Sequence, residues 1–242
     1  MMSKMGAGIC ALLLLAACGA PQTRQPQQGA GSGATPTFGP PGAAAYRIDP
    51  AQSEVRLLVY RAGPMARLGH NHVIVNRAVG GWMDAAHGAA GKSLLVEVPV
   101  ADFVVDEAQA RAAEGPEFAE AVTDDARAGT RRNMLGEALL DAARFSTITL
   151  RGMAVATPAG GQGQGTQAPT TWLATLNVQV AGHESNLKVP FTLETAAGRV
   201  TASGTAVLRQ SDLGLTPVSV MLGALQVRDE FTVEFKLVAP QG

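Results

Sequence analysis

Cysteine is almost missing from this chain: among 242 residues only Cys10 and Cys18 carry a thiol, both close to the start. No disulfide can staple the remainder, whose stability must come from packing, and no thiol is left there for nucleophilic catalysis or metal binding. Aromatic residues are scarce at 5%, so interior positions fall mostly to smaller side chains. An excess of base is lacking too, with 19 Lys and Arg against 20 Asp and Glu. No basic stripe can form for a phosphate backbone, which excludes nucleic acid as an expected partner. Catalytic signatures are absent: there is no Gly-x-Ser-x-Gly, no HExxH, no phosphate loop and no carboxylate pair in a defined context. The chain does not read as an enzyme.

Long apolar runs are missing as well. Ile9–Ala17 is the longest near the start, too short for a helix across a hydrocarbon layer of about 30 Å. With Lys4 before it and Leu15-Ala16-Ala17-Cys18 at its end, the segment Met1–Ala17 reads as a secretory signal. Its end resembles the lipobox of bacterial lipoproteins, in which the cysteine sulfur is acylated before cleavage. Cys18 is then the lipid anchor. Gly19, rather than Asp, follows it, which favours the outer membrane, facing the periplasm. Residues 18–45 are rich in Gly, Pro, Gln, Ser and Thr and nearly devoid of large apolar side chains. Such a stretch cannot offset its ordering entropy and is expected to be a tether reaching roughly 30 Å.

The 197 residues from Tyr46 to Gly242 suffice for one domain with a sizeable core. They read mostly as strands. Val55, Leu57 and Val59 alternate with Glu54, Arg56 and Leu58, and Ala174, Leu176, Val178 and Val180 with Thr175, Asn177 and Gln179. Leu187–Leu193 and Val200–Leu208 follow the same rule, and Phe231, Val233, Phe235 and Leu237 turn away from Thr232, Glu234 and Lys236. Further strands are predicted over 72–79, 93–100 and 147–155. Period two over so many segments predicts an all-β, antiparallel sheet with one dry and one wet face. Asp106–Ala143 departs from it. Met134, Leu135, Ala138, Leu139 and Ala142 mark one face of a helix, and Gly115-Pro116 divides the segment, so two helical pieces are expected. The charges between Asp106 and Arg132 read as a solvated helix face. Thr157–Pro169 is glycine-rich and reads as a loop.

Five pieces in order carry a family resemblance: Tyr46-Arg47-Ile48-Asp49-Pro50 with Ser53 and Val55; Leu68-Gly69-His70-Asn71-His72; Met134-Leu135 followed by Leu140-Asp141, Phe145, Ile148 and Leu150; Ser211-Asp212-Leu213-Gly214-Leu215; and Val227, Asp229 and Val233. Together they resemble the YceI-like family from Tyr46 to about Ala239. The chain departs from the family pattern at Gly182-His183, where the family usually places histidine before glycine. The resemblance implies an extended, lipocalin-like antiparallel β-barrel of about eight strands, here with a helical insertion. It further implies a hydrophobic ligand in the interior, such as an isoprenoid lipid or quinone. A barrel of that size either fills with side chains or encloses one slender ligand, and inward Val, Ala, Gly and Leu leave room.

The ligand-contacting candidates are Leu57, Val59, Leu176, Val178, Phe191, Phe231 and Phe235 on inward faces, with Arg61, His70 and His72 as polar candidates. His70 and His72, two apart, share one side of the chain, with Asn71 opposite. They would hydrogen-bond a headgroup, or take part in a metal or haem site, or have no specific role. A metal site needs three or four ligands, and neither His87 nor His183 stands at a recognisable ligand spacing. Arg61 and Arg67 flank Gly63-Pro64 and read as solvated charge or as neighbours of a phosphate or bilayer surface. Trp82 reads as packing, Gly182-His183-Glu184 as a hairpin turn. Beside lipid carriage, a non-catalytic interaction module of the envelope is the remaining expectation.

Overall fold

A computed structural model describes residues 45–84, 92–157 and 170–240. The segment read as a signal, Cys18, the segment read as a tether except Ala45, His87 and all but the first residue of the Thr157–Pro169 loop lie outside them, and Ala45 belongs to a strand. The strands are β1 (Ala45–Arg47), β2 (Glu54–Ala62), β3 (His72–Asn76), β4 (Gly80–Asp84), β5 (Lys92–Pro99), β6 (Val104–Val105), β7 (Thr147–Ala156), β8 (Thr170–Val180), β9 (His183–Ala196), β10 (Arg199–Arg209), β11 (Ser219–Val220) and β12 (Leu225–Pro240). Two α-helices, α1 (Ala108–Ala113) and α2 (Asp124–Leu135), lie between β6 and β7. No helix among the described residues is long and apolar enough to cross a membrane.

All the strands join one antiparallel sheet in the order β1-β4-β5-β7-β8-β9-β10-β12-β2-β3-β6, with β11 on β12. Twelve strands are present among the described residues where about eight were expected: β1, β6 and β11 are too short to show a period, and β4, opened by Gly80-Gly81, was not predicted. The alternating segments pair as their patterns require. Ala181-Gly182 and Ala197-Gly198 close two-residue hairpins with both residues left-handed, the geometry that matches strand twist. The first turn is therefore Ala181-Gly182, and His183 and Glu184 already belong to β9 rather than to the turn.

The sheet curls on itself, and its seam is tied by the opening motif. Ile48 N–H donates to Gly81 C=O (3.1 Å) and Asp49 N–H to Val238 C=O (2.8 Å), so two successive residues reach β4 and β12. The Asp49 carboxylate caps the turn at Ala51 N–H (3.0 Å), and Ser53 Oγ accepts from Val238 N–H (2.9 Å). Those polar side chains explain the Asp-Pro and Ser of the motif: they satisfy backbone N–H groups at the strand entry, which apolar side chains cannot do.

The C-terminal signature is a clamp on a bulge. Between Val227 and Phe231 the pairing of β12 with β2 slips, which redirects the strand. Asp229, within the slip, accepts from Ser211 N–H (2.8 Å) and Ser211 Oγ–H (2.6 Å). Those bonds hold its carboxyl below the ordinary pKa. Gly214 is left-handed at φ +74°, and a Cβ there would come within 2.6 Å of the His183 ring. Glycine is required by both conformation and space.

Two expectations are corrected in the insertion. α2 starts as a capped helix, with Thr123 Oγ1 accepting from Ala126 N–H, but it stops at Leu135 because Gly136 is extended. Residues 136–145 continue as turns, with Leu140 N–H on Met134 C=O and Ala142 N–H on Leu135 C=O. Met134 and Leu140 are buried all the same, with Leu135, Leu139 and Ala142 packed beside them. The end of α2 and the turns thus deliver Met134, Leu135, Leu139 and Ala142 of the set that looked like one helical face, while Ala138 is exposed.

The second correction concerns the wet face. Leu58, Val73 and Val75 point outward from β2 and β3, yet they are buried with Ala110, Phe118 and Tyr60 in a second apolar cluster. The insertion covers that part of the sheet. On β2 the outward Leu58 is 6% exposed, whereas inward Val55, Leu57 and Val59 keep partial exposure. An inward side chain retains accessible surface only if the interior is not filled.

Candidate ligand-binding hollow

Among the described residues, side chains enclose two adjoining hollows in the interior. One, of about 260 Å³, is walled by Val55, Leu57, Val98, Leu150, Leu176, Val178, Phe191, Ala202, Ala206, Val233, Phe235 and other apolar side chains from most of the long strands. The second, of about 240 Å³, is walled partly by apolar groups and partly by Arg61, His70, His72, Thr130, Asn133, Gln210 and Gln226. Leu57, Leu140, Leu215 and Phe231 line both, so the two share a partition. Together they reach the ~300–1,000 Å³ usual for small-molecule sites. Ala174, Ala202 and Ala206 line the apolar hollow, each placing only a methyl group at the wall.

All ten ligand-contacting candidates from the sequence line one hollow or the other. Leu176, Val178, Phe191 and Phe235 face the apolar hollow, Val59, Arg61, His70 and His72 the polar one, and Leu57 and Phe231 the partition. Trp82 also lines the apolar hollow and is nearly buried.

The polar hollow is organised by a buried charge group that no local pattern announced. Asp106 is left-handed at φ +55° and wholly buried. Its carboxylate accepts from Val73 N–H (2.9 Å), Arg111 Nη1–H (2.6 Å) and the His72 Nδ1 side (2.6 Å). Burial pushes this carboxyl up. The hydrogen bond and charge of His72, together with the Val73 and Arg111 bonds, outweigh it and hold the pKa below the ordinary value. Arg111, also buried, donates further to Asn71 C=O and Glu120 C=O (both 2.7 Å). These two charges are not a solvated helix face. They stitch the insertion to β3, a pairing across sequence that periodicity cannot show.

That frame sets the imidazole. With Nδ1 on Asp106, His72 turns Nε2 to Thr130 Oγ1 at 3.3 Å, leaving its edge on the hollow. His70 lies beside it, ring centroids 6.3 Å apart, with Nε2 3.9 Å from Glu120. Asn71 points the other way, accepting from Arg61 N–H and donating to Glu117 C=O. Arg61 is held by Glu120 at 3.1 Å. As a metal site the arrangement is poor: both His72 nitrogens are engaged, and the described residues contain no cluster of three or more His, Cys, Asp or Glu suited to an ion.

At the apolar end, Lys92 is nearly buried between the Tyr46 and Trp172 rings and donates to Asp84 C=O (3.2 Å). Burial pushes its ammonium pKa down against the pull of Asp84. Sequence reading passed over this lysine, as it did Thr130, Asn133, Gln210 and Gln226. Only Gln210 had a marker, its place directly before the Ser211–Leu215 signature.

An antiparallel sheet curled round an apolar hollow is a lipocalin-like barrel in class. Residues 46–239 match the model of the YceI-like domain, and the chain belongs to that family. No curated protein matches the sequence. Among solved structures it is similar to BcnA of Burkholderia cenocepacia, at 18% identity over 79% of this chain and 99% of that one, with a TM-score of 0.54. It is similar also to a polyisoprenoid-binding domain from Saccharophagus degradans implicated in plant cell wall breakdown, at 13% identity, 82% and 99% coverage and a TM-score of 0.52. At these identities the likeness is one of fold.

Proposed function

We infer that this protein binds an isoprenoid-type lipid or quinone, tail in the apolar hollow and oxygen-bearing head in the polar one, and carries it rather than transforms it. The observation that carries the reading is the apolar hollow of about 260 Å³. At about 24 cal/mol per Å³ of void, leaving it empty forgoes roughly 6 kcal/mol of packing, a large share of the 5–15 kcal/mol that holds a domain together. An apolar cavity does not recover that from water. A hydrocarbon chain does. The polyisoprenoid-binding relative of the same fold supports the choice of ligand class, and the absence of catalytic signatures supports carriage.

The reading extends to place. Cleavage before Cys18 and its acylation put the barrel in the envelope, tethered to the outer membrane on the periplasmic side. There both the bilayer and the hollow offer the ligand about 0.8 kcal/mol per methylene, so exchange between them lies near balance. The test is solvent extraction and mass spectrometry of the full chain purified from cells. A reproducible, stoichiometric isoprenoid is expected. A chain that is reproducibly empty after mild purification defeats the reading.

A further inference from the structure

The rim of the polar hollow carries an apolar projection that folding does not use. Val220, Met221 and Leu222 are 43%, 60% and fully exposed, and Leu68, in the adjoining loop, is 53% exposed. These residues rank among the most exposed large apolar side chains of the described residues, most of which are buried or packed on the core. The backbone holds them out. Met221, Leu222 and Gly223 are successively left-handed, at φ +53°, +56° and +88°, a conformation that Met and Leu adopt only under constraint.

The constraint comes from the neighbouring loop. Met65 N–H donates to Ala224 C=O (2.8 Å), Val227 N–H to Val218 C=O and Ala224 N–H to Met221 C=O. Gly63, at φ +90°, lies so close that a Cβ would meet Ala224 O at 2.7 Å. The two loops are one unit, and it stands at the hollow: Gly69, Val218, Val220 and Leu225 all line it. Val220, which lines the hollow and is nearly half exposed, marks the rim.

Charge supplies the second observation. Across residues 63–69 and 216–226 the only charged side chain is Arg67, and there is no carboxylate. Arg67 is exposed and makes no hydrogen bond or ion pair among the described residues. An apolar tip backed by an unengaged guanidinium suits a surface with hydrocarbon below and anionic phosphates above.

We propose that the joined loops around Leu68 and Val220–Leu222 are a membrane-docking point that seats the rim of the polar hollow on an anionic bilayer. The proposal rests on the ligand reading in that it names the route by which a lipid reaches the hollow. The docking itself needs no ligand.

The test uses the full chain with vesicles of phosphatidylethanolamine and phosphatidylglycerol whose acyl chains carry bromine, a contact quencher of indole emission. Leu222→Trp is compared with Val207→Trp, an exposed apolar position on the outward face of β10. The expected result is several-fold stronger quenching of the added indole at 222, reduced when Arg67→Gln is combined with it. Equal quenching at the two positions overturns the proposal, since an acyl tether alone would not select the tip. Shielding of the 222 indole from aqueous acrylamide without bromine quenching also overturns it and assigns the tip to a protein partner, or to a second copy if the shielding depends on concentration. Tip insertion with an empty hollow in the extraction experiment sinks the ligand reading alone. Lipid in the extract with no insertion sinks docking alone.

Discussion

Filling the hollow is the sharpest test of whether it exists. Ala202 and Ala206 both line it from β10, and each change to Leu adds three carbon atoms. At about 0.8 kcal/mol per buried methylene the gain is about 2.4 kcal/mol per site. Ordering the new side chain subtracts about 0.5–1 kcal/mol, leaving a net stabilisation of roughly 1.5 kcal/mol. If side chains already filled the interior, the same changes would overpack it and cost about 1–3 kcal/mol. The sign therefore decides. The two sites are four residues apart along one strand, about 13 Å, but they line one hollow, so each variant is measured singly and their effects are not summed. The assay is urea unfolding of delipidated protein, comparing midpoints at unchanged slope, with mass spectrometry of what each variant retains from cells. Both variants should be more stable when delipidated and retain less lipid. Destabilisation of both by more than about 1 kcal/mol at an unchanged slope, the overpacking outcome, would refute the reasoning.

Asp106→Asn removes the charge opposite buried Arg111 and should cost about 3–5 kcal/mol at neutral pH. Because folding lowers the Asp106 pKa, its stabilisation is full above the unfolded value of about 3.9 and is lost as pH falls through the lower folded value. Wild type and variant should converge in urea melts as pH falls through that lowered folded value; a constant gap from neutral to acid would contradict the assignment. Gly214→Ala forces a methyl against His183 at a left-handed position and should lower stability by about 1–3 kcal/mol. Gly115→Ala, with nothing within 4 Å of the added carbon, should stay within about 0.5 kcal/mol by thermal unfolding, and similar losses for both would deny the packing explanation.

Much of the barrel is legible in the amino-acid order, for a local reason. Side chains in a strand alternate with period two, so β8, β9, β10 and β12 announce themselves, and their inward sets point at the hollow. The candidate residues follow from that parity. Residues whose roles depend on distant partners are not legible. Leu58 breaks the alternation, and only the insertion lying over β2 and β3 explains it. Asp106 and Arg111 look like ordinary surface charges until folding brings them under that insertion with His72. The helical face drawn through Ala142 fails at Gly136, where local backbone preference outranks the apolar pattern.

Sequence alone settled strand parity, which depends on neighbours a few residues apart, and the family, which short motifs in order carry. Whether the interior is filled or hollow was decided by tertiary structure. Closure sets the distance between opposite walls, and small side chains leave space only when that distance exceeds their reach. The same closure chose which charges were buried, because desolvation depends on what packs above a residue and not on what precedes it in the chain.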